Sequence, residues 1–123
     1  MRAVKSKDTG PEMTVRSIVH RLGFRFRLHR DDLPGKPDLV FPRLRKVIFV
    51  HGCFWHGHSC ARGNRVPIHN REYWTRKIDG NRIRDRRTSA LLKRLGWSCK
   101  VIWECGLKNP EKVRLSLARF LSD

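Results

Sequence analysis

Two short runs, Asp38-Leu39-Val40-Phe41 and Lys46-Val47-Ile48-Phe49-Val50, constrain this chain more than any other feature. Each is apolar at successive positions instead of every second one, so both of its faces must be hidden from water. Strands of that kind sit inside a sheet that helices cover, and the rest of the sequence supplies the covers. Thr9-Gly10-Pro11-Glu12 has the form of a helix start, with Thr9 as cap, Pro11 in the first turn and Glu12 closing a capping box. Val15, Ile18, Val19 and Leu22 then follow at i, i+3, i+4 and i+7 and Gly23 supplies the stop, so the spacing predicts a helix over about 10–22. Phe24, Phe26 and Leu28 alternate with Arg25, Arg27 and His29, the pattern of a half-buried strand with a basic outer face. A second helix is expected over about 72–95, broken at Gly80 and ending in Leu91, Leu92 and Leu95. Trp97, Cys99, Val101 and Trp103 alternate as another strand, and core packing suits both tryptophans. Asn109-Pro110-Glu111 opens a last helix with the stripe Val113, Leu117, Phe120 and Leu121. The order α-β-β-β-α-β-α carries no repeat and no linker. It predicts one compact α/β domain over residues 1–123, a central mixed β-sheet flanked by helices.

Charge narrows the partner. Twenty-eight Lys and Arg against eleven Asp and Glu leave a net charge of +17 on 123 residues. A field of one sign speeds encounter with a polyanion and releases its condensed counterions, so nucleic acid leads as a partner. Aromatic and β-branched residues recur along the whole length, which excludes a disordered basic tail. No apolar run approaches the roughly twenty residues that span a bilayer, and no signal-peptide core stands near Met1. No membrane role is expected, and a cytoplasmic location is. In that compartment four cysteines read as thiols or metal ligands and not as disulfides.

Across residues 52–70 periodicity disappears and His, Cys, Gly and aromatics crowd together. Such a loop must be held by something other than a backbone ladder. Cys53, His58 and Cys60 read C-x4-H-x-C, and Cys105 stands at the end of the last strand. Three thiolates and one imidazole make a common closed tetrahedral zinc shell, and a closed shell is structural because it leaves no place for water. The alternative is a set of scattered thiols packed as small hydrophobes. Cys99, inside the strand pattern, reads as a buried inert thiol.

One acid sits oddly among its neighbours: Asp38, between Pro34-Gly35-Lys36-Pro37 and an apolar run. A carboxylate at the edge of a buried strand is costly unless paired, hydrogen-bonded or bound to a cation. Mg²⁺ uses carboxylates of this kind to orient a phosphate for in-line attack. Ending a turn on backbone N–H groups would equally account for it. His51 and His56 flank the loop ligands at positions the tetrahedron does not need, and a histidine beside a carboxylate-held cation can take a proton from water.

The runs Leu33-Pro34-Gly35-Lys36-Pro37-Asp38, Val47-Ile48-Phe49-Val50-His51-Gly52-Cys53-Phe54-Trp55-His56, Glu72-Tyr73-Trp74, Arg84-Asp85-Arg86-Arg87, Leu95-Gly96-Trp97 and Val101-Ile102-Trp103-Glu104-Cys105 together resemble the very short patch repair DNA mismatch endonucleases. The resemblance covers nearly the whole chain in the family's order, and it implies a PD-(D/E)xK-like nuclease fold. It further implies nicking of duplex DNA beside a T:G mismatch, with Mg²⁺ for chemistry and Zn²⁺ for structure. On that resemblance Asp38 binds Mg²⁺ together with the Val50 backbone carbonyl, and His56 serves the hydrolytic step with His51 as the second active-site histidine. Glu12 matches a first-helix glutamate that helps hold the metal-bound water. Cys53, His58, Cys60 and Cys105 match the zinc ligands. Phe54, Trp55 and Trp74 match aromatics that wedge into the stack, and Lys77 and Asn81 match residues used near the mismatched bases.

Departures from the family also carry expectations. Val50 stands where the best-known relative has Thr, which suffices if only its carbonyl is used. The chain opens at Met1-Arg2-Ala3-Val4, where relatives have a longer DNA-touching arm, so fewer arm contacts are expected. A monomer acting on mismatched double-stranded DNA is expected, with a mismatch-repair protein as a further partner. The competing reading is a zinc-stabilised DNA-binding module without catalysis. RNA binding is a third, since aromatics interleaved with basic residues also suit single strands.

Overall fold

A computed structural model describes residues 9–28, 30–60 and 66–122. Helix α1 (Gly10–Arg21) starts as its sequence requires, with Thr9 Oγ1 accepting from the Glu12 N–H, and ends where Gly23 takes a left-handed φ of 89°. Strands β1 (Arg27–Leu28), β2 (Leu39–Phe41) and β3 (Lys46–His51) form an antiparallel series. Helix α2 (Arg71–Arg94) then crosses over to β4 (Ser98–Trp103), which runs parallel to β3 with His51 opposite Trp103. A 3-10 turn (Glu104–Lys108) leads into α3 (Pro110–Ser122). The sheet order is β1-β2-β3-β4, so the two uniformly apolar runs occupy its interior. A parallel pair needs such a crossover, because antiparallel turns cannot return the chain to the same end of the sheet.

The two faces of the sheet carry separate cores. Leu39, Phe41, Ile48 and Ile102 meet Val15 and Val19 of α1 and Val113, Leu117 and Leu121 of α3. Val40, Val47 and Phe49 meet Leu92 of α2 and Leu33 from the turn before β2, with Trp97 and Cys99 packed against them. Alternation along β3 sends Ile48 to the first face and Val47 and Phe49 to the second, which is why the run has no polar side. Lys46 is buried at the start of β3, and its ammonium donates to the Phe120 carbonyl at 2.5 Å, tying the sheet to the end of α3.

Four expectations change. The strand expected over 24–29 pairs only at Arg27 and Leu28, both exposed; Phe24 and Phe26 instead lean on the first core, and His29 lies outside the described residues. Helix α2 is unbroken at Gly80, where a single interior glycine costs only about 1 kcal/mol against alanine. Of the leucines at its end only Leu92 is buried, whereas Leu91 and Leu95 are 48% and 54% exposed. Trp103 belongs to neither core; it stands at the C-terminal end of β4, where the site is. The arm at residues 1–8 lies outside the described residues.

Candidate active site and metal centre

The C-terminal ends of β3 and β4 gather the chemistry. After His51 the chain turns tightly over residues 52–58, the His56 N–H bonding to the Gly52 carbonyl at 3.2 Å and the His58 N–H to the Cys53 carbonyl at 3.0 Å. Gly57 has a φ of 61°, and a Cβ there would lie 2.7 Å from Ile78 Cγ2 and 2.8 Å from Arg82 Cδ of α2. The loop therefore rests on α2 at a distance only glycine permits.

That turn brings Cys53, His58 and Cys60 together, and the 3-10 turn adds Cys105, so that all four ligand atoms lie within 4.8 Å of one another. Cys105 Sγ is 3.5 Å from His58 Nδ1, which matches the edge of about 3.5 Å of a tetrahedron with Zn–S and Zn–N bonds of about 2.3 and 2.0 Å. The Cys105 N–H donates to Cys53 Sγ at 3.3 Å, as backbone groups commonly do around a liganding sulfur. Burial pushes the Cys53 thiol up to about 12, an effect the Cys105 N–H opposes. A cation must displace that proton to bind. The donor set is soft and suits zinc.

A second group stands beside the first. The rings of His51 and His56 stack at 3.8 Å, within 2° of parallel. Asp85, halfway along α2, bonds His56 Nδ1 through Oδ2 at 2.6 Å. A carboxylate only accepts, so the proton of this bond sits on Nδ1 and the lone pair of neutral His56 is left on Nε2. His51 is 8% exposed, and its Nδ1 has no hydrogen-bond partner among the described residues. Burial, reinforced by His56 alongside and partly countered by Asp85, pushes His51 down to about 4. His51 is therefore a neutral ring at pH 7.

Asp38 reaches the same end of the sheet. Its Oδ2 accepts from the Val50 N–H at 2.6 Å, one residue before His51. One carboxylate is a sparse hard-oxygen set, and sparse sets fit Mg²⁺, which keeps several waters and takes up phosphate oxygens. Glu12, 4% exposed in the first turn of α1, pairs its Oε2 with Arg16 Nη2 at 3.3 Å. Neither Glu12 nor Asp38 joins a group of three ligand atoms within 4.8 Å among the described residues.

Phe54, Trp55 and Trp74 meet edge to face at centroid distances of 5.1–5.7 Å, and Tyr73 joins Trp74 at 5.1 Å. Asn81 donates its amide to the Trp55 carbonyl at 2.8 Å, so it holds the aromatic loop to α2. Lys77, one turn earlier, is exposed. Three residues here escaped the sequence reading. Asp85 hides in a basic run, where its being one of few acids was the available signal; Tyr73 adjoins Trp74; and Trp103 alternates like a core residue.

An α/β sheet with a carboxylate, an oriented imidazole and a Cys/His group at one end, within a strongly basic chain, brings together the kinds of group that phosphodiester hydrolysis uses. Comparison with known proteins narrows this. Residues 1–62 match the family described as DNA mismatch endonuclease Vsr. The chain is 54% identical over 121 residues to the Type II nicking enzyme V.XorIIP of Xanthomonas oryzae pv. oryzae, covering 98% of this chain and 88% of that protein. It is 40% identical over 123 residues to the Type II nicking enzyme V.NmeAIP of Neisseria meningitidis, covering 100% and 87%. Against the DNA mismatch endonuclease Vsr of Escherichia coli it is 43% identical over 113 residues, covering 92% and 72%. The chain belongs to the Vsr DNA mismatch endonuclease family and is a DNA endonuclease. Among the described residues no helix is long and apolar enough to cross a membrane.

Proposed function

We propose that residues 1–123 act as one endonuclease domain that nicks one strand of duplex DNA beside a T:G mismatch in a Mg²⁺-dependent reaction. The observation that carries this reading is the His56–Asp85 pair standing at the end of the sheet where Asp38 holds the amide of Val50. Relatives named mismatch endonuclease and nicking enzyme support the substrate and the single-strand outcome.

Asp38 and the Val50 carbonyl would hold Mg²⁺, which when bound supplies Lewis-acid polarisation of the scissile phosphate. His56 Nε2 takes a proton from the attacking water, while Asp85 keeps Nδ1 protonated and stabilises the imidazolium that forms. His51 stays neutral and supports the His56 ring by stacking. Glu12 orients the water from the first turn of α1. Phe54, Trp55 and Trp74 enter the base stack, where a mismatch has already lowered the cost of unstacking. Lys77 contacts DNA near the mismatch, and Asn81 serves it by fixing the aromatic loop. Cys53, His58, Cys60 and Cys105 hold structural Zn²⁺. The protein works as a monomer on cytoplasmic DNA at the nucleoid, with a mismatch-repair protein as a further partner.

End-labelled duplexes carrying each mismatch in turn, incubated with Mg²⁺ or with chelator, test this reading. It expects a single-strand nick beside T:G with Mg²⁺ only. Cutting of perfectly paired duplex at the same rate, or nicking that survives without divalent cation, contradicts it.

A further inference from the structure

Trp103 joins the two clusters through space. Its indole lies nearly flat on His58, at 4.2 Å and 22°, and stands edge-on to His51 at 5.2 Å and 75° and to His56 at 6.2 Å and 74°. Because His51 and His56 are parallel within 2°, one flat indole faces both at the same angle. The pairing of β3 with β4 places Trp103 opposite His51, and two residues later the chain delivers Cys105 to the Cys/His group. One strand end thus serves the metal group and the imidazole pair together. Trp103 packs in neither hydrophobic core, so its ring is not needed to fill the interior.

We propose that Trp103 is the positioning residue through which the Cys53–His58–Cys60–Cys105 group sets the alignment of the His51–His56 pair. The inference rests on the reading of that pair as the hydrolytic centre. A ligating nitrogen aims its lone pair within the ring plane, so a cation bound at Nδ1 fixes the plane of His58. The stacked indole takes its tilt from His58, and edge-to-face contact passes the tilt to both imidazoles. His56 Nε2 then presents to the water in one orientation. The loop backbone from His56 to His58 offers a second route, and removing the indole separates the two.

The test uses metal-loaded protein and reads ring-proton NMR signals together with nicking. In the wild type, exchanging zinc for the larger cadmium ion should shift the signals of His58, His51 and His56. Trp103→Phe, which keeps a flat ring, should preserve all three responses and nick within about threefold of wild type. Trp103→Leu should keep one cation per chain and wild-type duplex affinity, with the His58 response intact. Its His51 and His56 responses should vanish and its single-turnover nicking fall at least tenfold. A Trp103→Leu protein whose His51 and His56 signals still follow the exchanged ion overturns the proposal. So does a metal-loaded Trp103→Phe protein in which they do not, a result that stands even if the leucine variant fails to fold. The NMR arm needs no nicking, so failure of the hydrolytic reading shows separately, as a wild-type protein that cuts nothing.

Discussion

His56 has two ring nitrogens, and Asp85 decides which of them is free. The 2.6 Å bond to Nδ1 leaves the lone pair on Nε2, as the proposed role of His56 requires. An asparagine at 85 can also donate from its amide, which admits the other tautomer and removes the charge that steadies the imidazolium. Asp85→Asn should lower single-turnover nicking about 10²-fold or more at unchanged duplex affinity; a loss under threefold contradicts the assignment. His51 adds a pH dependence. Its value falls from 6.5 in the unfolded chain to about 4 in the native one, so between those values the unfolded state binds a proton that the native state refuses. Stability is unaffected by this group above pH 6.5 and falls as pH drops toward 4, by on the order of 3 kcal/mol in all. Thermal midpoints measured from pH 7 to pH 4 should show that decline, and His51→Leu should flatten it. At this scale the sequence was legible where chemistry and neighbours coincided, as at Cys53, His58 and Cys60. Asp85 was not legible, because Arg84, Arg86 and Arg87 disguise it as part of a solvated helix face. Trp103 was not either, since alternation marks a strand without saying where its last ring ends up.

Among the elements, periodicity did best where one face alone is buried. The stripes of α1 and α3 land on the first core, and the uniform apolarity of β2 and β3 marks them as interior. The boundaries of β1 were not legible, because alternation marks which side chains face the core and not which backbone groups pair, and only Arg27 and Leu28 pair, with Val40 and Leu39. The 3-10 turn at Glu104–Lys108 has no periodic signal at all, yet it sets Cys105 in place. Gly57 ties the aperiodic loop to α2. Gly57→Ala should cost about 1–2 kcal/mol for the left-handed backbone alone, and more from the approach to Ile78. Thermal unfolding checks the loss, and metal content should fall with it. An alanine variant as stable and as fully loaded as the wild type would show that the loop does not depend on that close approach.

For the molecule as a whole, a short basic chain divides its needs between two layers of apolar packing and one Cys/His clip. Cys53, pushed up to about 12 by burial, must lose its proton when a cation binds. Cation affinity at that group should therefore rise with pH, and a strong chelator should lower the thermal midpoint and loosen the loop that carries His56. Calorimetric zinc binding at pH 6 and pH 8 gives the sign; equal affinities at the two values contradict a ligating Cys53. The catalytic reading itself depends on Asp38. Its direct test is Asp38→Ala, assayed at once for Mg²⁺-dependent nicking of a T:G duplex and for binding to that duplex. The account predicts nicking lost by at least about 10³-fold with affinity within threefold of wild type, since a cation site contributes several kcal/mol to the transition state. A variant that still nicks at close to the wild-type rate would contradict it.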